Sequence, residues 1–221
     1  MVMLTDEEHE FLAGTRGEAA AFAARILVRM ARVMGATALL PVQSSHIDGC
    51  LLHGASGVDF AERLVDTGGQ VRVPTTLNVG ALDLLKPSRS RLSGVRRDLA
   101  YRLMSAYQKL GCRPTWTCAP YQAGHRPGLG EQVAWGESNA VAFVNSVLGA
   151  RTNRYGDFLD ICCAIVGRAP AAGLHLDENR IASVHVDLTA LTSSLRANDV
   201  LFPVLGSWLG RTVGSDVAAT G

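Results

Sequence analysis

The chain has 221 residues, 48% hydrophobic and 19% charged, with 21 basic against 20 acidic side chains and a net charge of +1. This is enough apolar chain for a substantial core. No basic stripe argues for nucleic acid, and no charge block argues for a membrane surface. The longest apolar stretch near the start, Ala19 to Leu27, is short and broken by Arg25, so it predicts no bilayer span. Asp6, Glu7, Glu8 and Glu10 stand where a signal peptide would be basic. The five cysteines are odd in number and lack C-x-x-C spacing, which points to a reducing cytoplasm rather than a disulfide framework. With no linker and no repeat, 1–221 reads as one domain or part of one.

Thr5 to Glu8 predicts a capping box at the first helix. An alanine-rich helix follows over 17–34, and Thr37–Val42 predicts a buried strand. Ser44–Ala55 is polar and glycine-bearing and reads as a loop. Ser56 is suited to cap a helix over 57–67. Val71–Pro74 predicts a strand, 95–110 a helix with Leu99, Leu103, Tyr107 and Leu110 on one face, and Thr115–Cys118 a brief strand. Helical spacing recurs over 135–148 and 158–166, and Ser183–Leu188 alternates as a half-buried strand does. This alternation predicts an α/β layered domain with a mostly parallel sheet flanked by helices, whose ligands gather at loops beyond the strands' carboxyl ends.

Four segments carry chemistry. Ser44–Gly54 packs hydroxyls, His46, Asp48, Cys50 and His53 between glycines; it is either an anion-approaching loop or a polar turn. Thr75, Thr76 and Asn78 are donors leaving a strand, though such residues also favour turns for local reasons. Cys118, before Pro120, suits a metal ligand, a nucleophile or a buried thiol. Glu137, Ser138 and Asn139 open a helix, where amides favour anions, and Arg151 and Arg154 follow its end.

In order along the chain, His46-Ile47-Asp48-Gly49-Cys50-Leu51, Pro74-Thr75-Thr76-Leu77-Asn78-Val79-Gly80, Thr117-Cys118-Ala119-Pro120-Tyr121, Ala134-Trp135-Gly136-Glu137-Ser138-Asn139 and Asn145–Arg154 resemble the aconitase X family. Its large-subunit-like domain is shared by cis-3-hydroxy-L-proline dehydratases and archaeal phosphomevalonate dehydratases, and the wording around Asp48 and Asn78 is nearer the former. The resemblance implies an aconitase-like layered α/β domain, incomplete at the carboxyl end. It implies a cytoplasmic hydro-lyase that dehydrates a small hydroxy acid with an iron or iron–sulfur centre, taking cis-3-hydroxy-L-proline to pyrroline-2-carboxylate. Cys118 matches an iron-ligand cysteine. Gly49, Cys50, Leu51, Asn78, Val79, Glu137 and Ser138 match substrate-pocket positions. The base is expected from a separate small swivelling subunit, so no catalytic base is assigned within the chain, and Cys162-Cys163 is expected to be helix packing.

The family's large part is longer than this chain, and its other ligand cysteines lie in the carboxyl half. The expectation is therefore a fragment that holds no stable cluster and turns over no substrate alone, frayed from Val213 to Gly221. Three alternatives stay open: a phosphomevalonate dehydratase large subunit, a non-catalytic remnant, and a thiol hydrolase using Cys118 with His46 or His125.

Overall fold

Helix α1 (Asp6–Ala13) starts at the capping box, where Thr5 Oγ1 accepts from the Glu8 amide at 3.3 Å and Glu8 Oε2 accepts from the Thr5 amide at 2.9 Å. In this computed structural model residues 1–214 and 218–220 are described. Two compact units divide the chain, 1–175 and 176–221. No helix among the described residues is long and apolar enough to cross a membrane.

In the first unit, α2 (Glu18–Val33) buries a face of small residues, Ala19, Ala20, Ala23 and Ala24, with Leu27. Such a face lets a neighbouring backbone come close. The neighbour is α6 (Leu159–Val166), whose Cys162 and Cys163 are fully buried packing residues. Helices α3 (Ala55–Asp66) and α4 (Gly94–Lys109) pack together. Helix α3 begins after Gly54, with no side-chain cap, so Ser56 lies inside it rather than capping it.

Strand β1 (Leu39–Pro41) is only partly buried and pairs antiparallel with β6 (Arg168–Pro170), outside the main sheet. The main sheet holds β2 (Ser45–Ile47), β3 (Thr75–Leu77), β4 (Arg113–Pro114) and β5 (Ala134–Trp135) in the order β4-β3-β2-β5, all parallel. Several expected boundaries move. The segment read as the 44–55 loop contains the central strand β2, all three residues buried. Its polar side chains find partners inside, with Ser45 Oγ donating to the Ala134 carbonyl at 2.6 Å and His46 Nδ1 lying 2.8 Å from Thr76 Oγ1, while His46 Nε2 is buried without one among the described residues. Burial between neighbouring strands, not local polarity, decides the element. The strand expected at 71–74 lies at 75–77, because Pro74 offers no amide to a ladder. The strand expected at 115–118 ends at Pro114, leaving Thr115–Cys118 as the loop that follows. Trp135 ends β5 rather than starting a helix; α5 spans Ser138–Ser146.

The chain steps outward from β2 to β3 to β4, then returns to place β5 on the other side of β2. The strand order therefore reverses between β2 and β5. In parallel α/β sheets this switch point opens a crevice at the carboxyl ends.

In the second unit, β7 (Val184–Val186) pairs in parallel with β8 (Ala218–Thr220), beside helices α7 (Ser193–Arg196) and α8 (Leu201–Thr212). The expected fraying from Val213 does not hold at Ala218–Thr220, which are paired; residues 215–217 and 221 lie outside the described residues.

Candidate active site

The loops leaving the four parallel strands rise from one end of the sheet. Asp48 and Gly49 follow β2, Asn78 and Val79 follow β3, Cys118 lies four residues past β4, and Glu137 and Ser138 follow Gly136 after β5. The ladder persists into them: Asn78 N donates to the Ile47 carbonyl at 3.0 Å and Gly136 N to the His46 carbonyl at 3.0 Å.

Asn78 is almost fully buried and links two loops. Its Nδ2 donates to Asp48 Oδ1 at 2.8 Å, and its Oδ1 accepts from the Val79 amide at 2.7 Å. The Cys118 thiol, half-buried, is the only cysteine not enclosed in the core. Burial pushes its pKa up, and the Glu137 and Asp48 carboxylates push it further. Hydrogen bonds from the Asn78 side chain and the Val79 backbone oppose the rise. Asp48, Asn78, Val79 and Glu137 are thus the groups that act on the Cys118 thiol. The turn carrying it is tied down: Trp116 N donates to the Leu77 carbonyl at 3.1 Å, and Asn139 Nδ2 donates to the Cys118 carbonyl at 3.1 Å. Trp116 itself takes the left-handed conformation, φ 49°, which an L side chain adopts at some strain.

Glu137 has two contacts. Its Oε2 caps α5 by accepting from the Ala140 amide at 3.0 Å, and Ser138 Oγ lies 3.4 Å from its Oε1. Ser138 is exposed, and Leu51 and Val79 are half-buried. Gly49 is buried because its Cα approaches Tyr107 so closely that a Cβ there would collide with the phenol oxygen.

Cys50 does not join them. Its thiol is fully enclosed in the main core and pushed far up by burial. Asn145, in the same motif as Glu137, ties α5 to the following loop by donating to the Thr152 carbonyl at 2.9 Å. Arg151 and Arg154 run beside β5, bridged to Gln132 and Trp135.

Two histidines stand beneath the site. His46 is buried, its pKa pushed down to about 3 by burial and then by His125; His125 is pushed down to about 4 by burial and then by Arg113. The Cys118 thiol is raised rather than activated, the opposite of what a Cys–His nucleophile needs.

A residue that sequence reasoning passed over lies under both central loops. Asp160, fully buried, accepts from the Asp48 amide at 2.8 Å and from the Ile161 amide at 2.7 Å. Burial pushes its carboxyl up to about 8, opposed by those two backbone bonds. A single carboxylate inside the apolar run Leu159–Val166 was the available signal.

As a metal centre the hollow is partial. Among the described residues no group of three His, Cys, Asp or Glu could hold a metal ion, and Cys118 offers one thiolate where iron clusters ordinarily use three or four.

A family model described as the aconitase X first domain matches residues 1–178. The chain is 45% identical over 216 residues to a cis-3-hydroxy-L-proline dehydratase of Hypocrea jecorina, covering 98% of this chain and 36% of that protein. It is 47% identical over 203 residues to a cis-3-hydroxy-L-proline dehydratase of Pseudomonas aeruginosa, covering 92% and 34%. A phosphomevalonate dehydratase large subunit of Thermococcus kodakarensis is 38% identical over 216 residues, covering 97% and 53%. The crystal structure of Thermococcus kodakaraensis aconitase X in its holo-form superposes with a TM-score of 0.86 at 38% identity, covering 99% of this chain and 54% of that one. The chain thus spans between a third and about half of the length of these relatives.

Proposed function

The chain belongs to the aconitase X family, and on that premise we propose that it forms the substrate-binding floor of a hydro-lyase acting on a small hydroxy-carboxylic acid, cis-3-hydroxy-L-proline first among them. One observation carries the reading: the loops that hold Asp48, Asn78, Cys118 and Glu137 leave the same end of one parallel sheet, with Asn78 bonded to Asp48 and both carboxylates acting on the Cys118 thiol.

Two features support the hydroxyproline substrate over 5-phosphomevalonate. Two matched hydroxyproline dehydratases are 45% and 47% identical, against 35% to 38% for matched phosphomevalonate dehydratase large subunits. The charged groups acting on Cys118 are both carboxylates, which suit a ring ammonium and repel a phosphate dianion. In the reaction, the proton on the carbon bearing the carboxylate is removed, hydroxide departs from the neighbouring carbon, and a double bond forms between them. The enamine then tautomerises to pyrroline-2-carboxylate.

This chain's residues bind and orient. Asn78 fixes Asp48, and the two orient the substrate against the Cys118 turn. The exposed Ser138 hydroxyl and the backbone amides of Gly49 and Val79 are donors to the substrate carboxylate. The base comes from a small swivelling subunit. Cys118 would be this chain's ligand to an iron centre, and such a centre would supply Lewis acidity. Five free cysteines fit a cytoplasmic setting.

Coexpression with a small swivelling subunit and a family carboxyl half, followed by assay of both substrates, tests the reading. Consumption of cis-3-hydroxy-L-proline with pyrroline-2-carboxylate formed is expected. Turnover of 5-phosphomevalonate alone overturns the substrate assignment, and an inert assembly favours the non-catalytic remnant.

A further inference from the structure

Asp160 lies at the switch point between β2 and β5, in the first turn of an otherwise apolar helix. A buried carboxyl is costly unless its oxygens find donors. Here both do: Oδ2 accepts the Asp48 amide at 2.8 Å and Oδ1 the Ile161 amide at 2.7 Å. The same Oδ2 faces Gly136, where a Cβ would stand 2.8 Å from it and 3.0 Å from the Asp48 Cβ. One carboxyl group thus meets the first residue after β2 and the first residue after β5. The main chain adds a tie, because the Asp160 carbonyl is 3.3 Å from Ser45 Oγ. An amide is a poor replacement: with one oxygen, it would turn an NH2 donor toward one of the two N–H donors.

We propose that Asp160 is a positioning residue, holding the Asp48 and Gly136–Glu137 turns at the separation that lets Asp48 bond Asn78 and both carboxylates face Cys118. The proposal rests on reading that hollow as the active site. It assigns Asp160 no contact with substrate.

Hydrogen–deuterium exchange resolved to single amides, on the full chain, tests this with Asp160→Asn, Asp160→Ala and the control Asp157→Asn. Asp157 is a half-buried neighbour paired with His53 at 3.0 Å. The Asp48 and Gly136 amides should exchange at least tenfold faster in both Asp160 variants, more in Ala than in Asn. Amides of α3 and α4 and the Asp157→Asn protein should match wild type. The iodoacetamide alkylation rate of Cys118 should change severalfold in the Asp160 variants alone. Unchanged exchange at Asp48 and Gly136 in a folded Asp160→Asn protein overturns the proposal. So does faster exchange throughout residues 1–175 in that variant, which makes Asp160 a general support of the fold. If Asp160→Ala fails to fold, the Asn variant decides alone. Neither readout uses substrate, so these results and the dehydratase assay fail or succeed separately.

Discussion

Asn78 Nδ2 donates to Asp48 Oδ1 at 2.8 Å, joining the loops that follow two adjacent parallel strands. The same Asn78 side chain opposes the rise of the Cys118 thiol pKa, so one buried amide bears on both a carboxylate and a sulfur.

Asn78→Ala should therefore act twice. Losing a hydrogen bond to a carboxylate costs about 1.5–3 kcal/mol, read as a lowered midpoint in denaturant. The thiol loses a donor that held its pKa down, so iodoacetamide should label Cys118 more slowly at pH 8.

Glu137→Gln should move the same rate the other way. Removing the carboxylate that acts most strongly on the thiol lowers the Cys118 pKa, while the glutamine oxygen still accepts from the Ala140 amide. Labelling at pH 8 should rise severalfold, and Asp48→Asn should show a smaller change of the same sign. In wild type the thiol is held above its ordinary value, so the rate should keep climbing through pH 9 without a plateau.

Close backbone approach should make two glycines intolerant of alanine. Gly136→Ala brings a Cβ within 2.8 Å of Asp160 Oδ2 and 3.1 Å of the Tyr155 carbonyl, and Gly49→Ala brings one onto the Tyr107 phenol. Each overpacking change should destabilise by about 1–3 kcal/mol. Tyr107→Phe removes the colliding oxygen, so the double variant Gly49→Ala/Tyr107→Phe should be more stable than the two single costs add up to.

The buried histidines should make the fold acid-sensitive. Their folded pKa values, about 3 for His46 and about 4 for His125, lie below an unfolded value near 6.5. Their stabilisation is therefore full above pH 6.5 and is lost as the pH falls toward 4. At pH 5 each withdraws about 2 kcal/mol. Asp160, raised to about 8, acts with the opposite sign: its stabilisation is full below pH 4 and is lost as the pH rises toward 8. The measurement is thus the difference between wild type and His125→Gln. Denaturation at pH 7 and pH 5 should show the variant losing about 2 kcal/mol less on acidification.

Much of the site was legible because its residues are tied to chain order. Asn78 and Cys118 stand in short polar motifs at the ends of expected strands, whereas Glu137 reads as a helix start, because the two-residue strand Ala134–Trp135 before it leaves no periodicity to find. The strands themselves were poorly legible. With two or three residues apiece they give periodicity nothing to act on, and Ser45 and His46 look like loop residues until paired with Ala134 and Thr76, 89 and 30 positions away. Cys50 shows a related limit. Which way a side chain turns beyond a strand end depends on packing, and here it turns into the core. Asp160 was hidden by its helix, since its partners are the amide of Asp48, 112 positions earlier, and its own neighbour Ile161.

The most direct measurement is substrate protection of the Cys118 sulfur. In the chain assembled with a small swivelling subunit and a family carboxyl half, cis-3-hydroxy-L-proline at saturating concentration should slow iodoacetamide labelling of Cys118 at least fivefold, and Asn78→Ala should weaken that protection. An assembly that turns the substrate over while Cys118 labels at the same rate with and without it contradicts the account, because the hollow formed by Asp48, Asn78, Cys118 and Glu137 would then not be where the substrate binds.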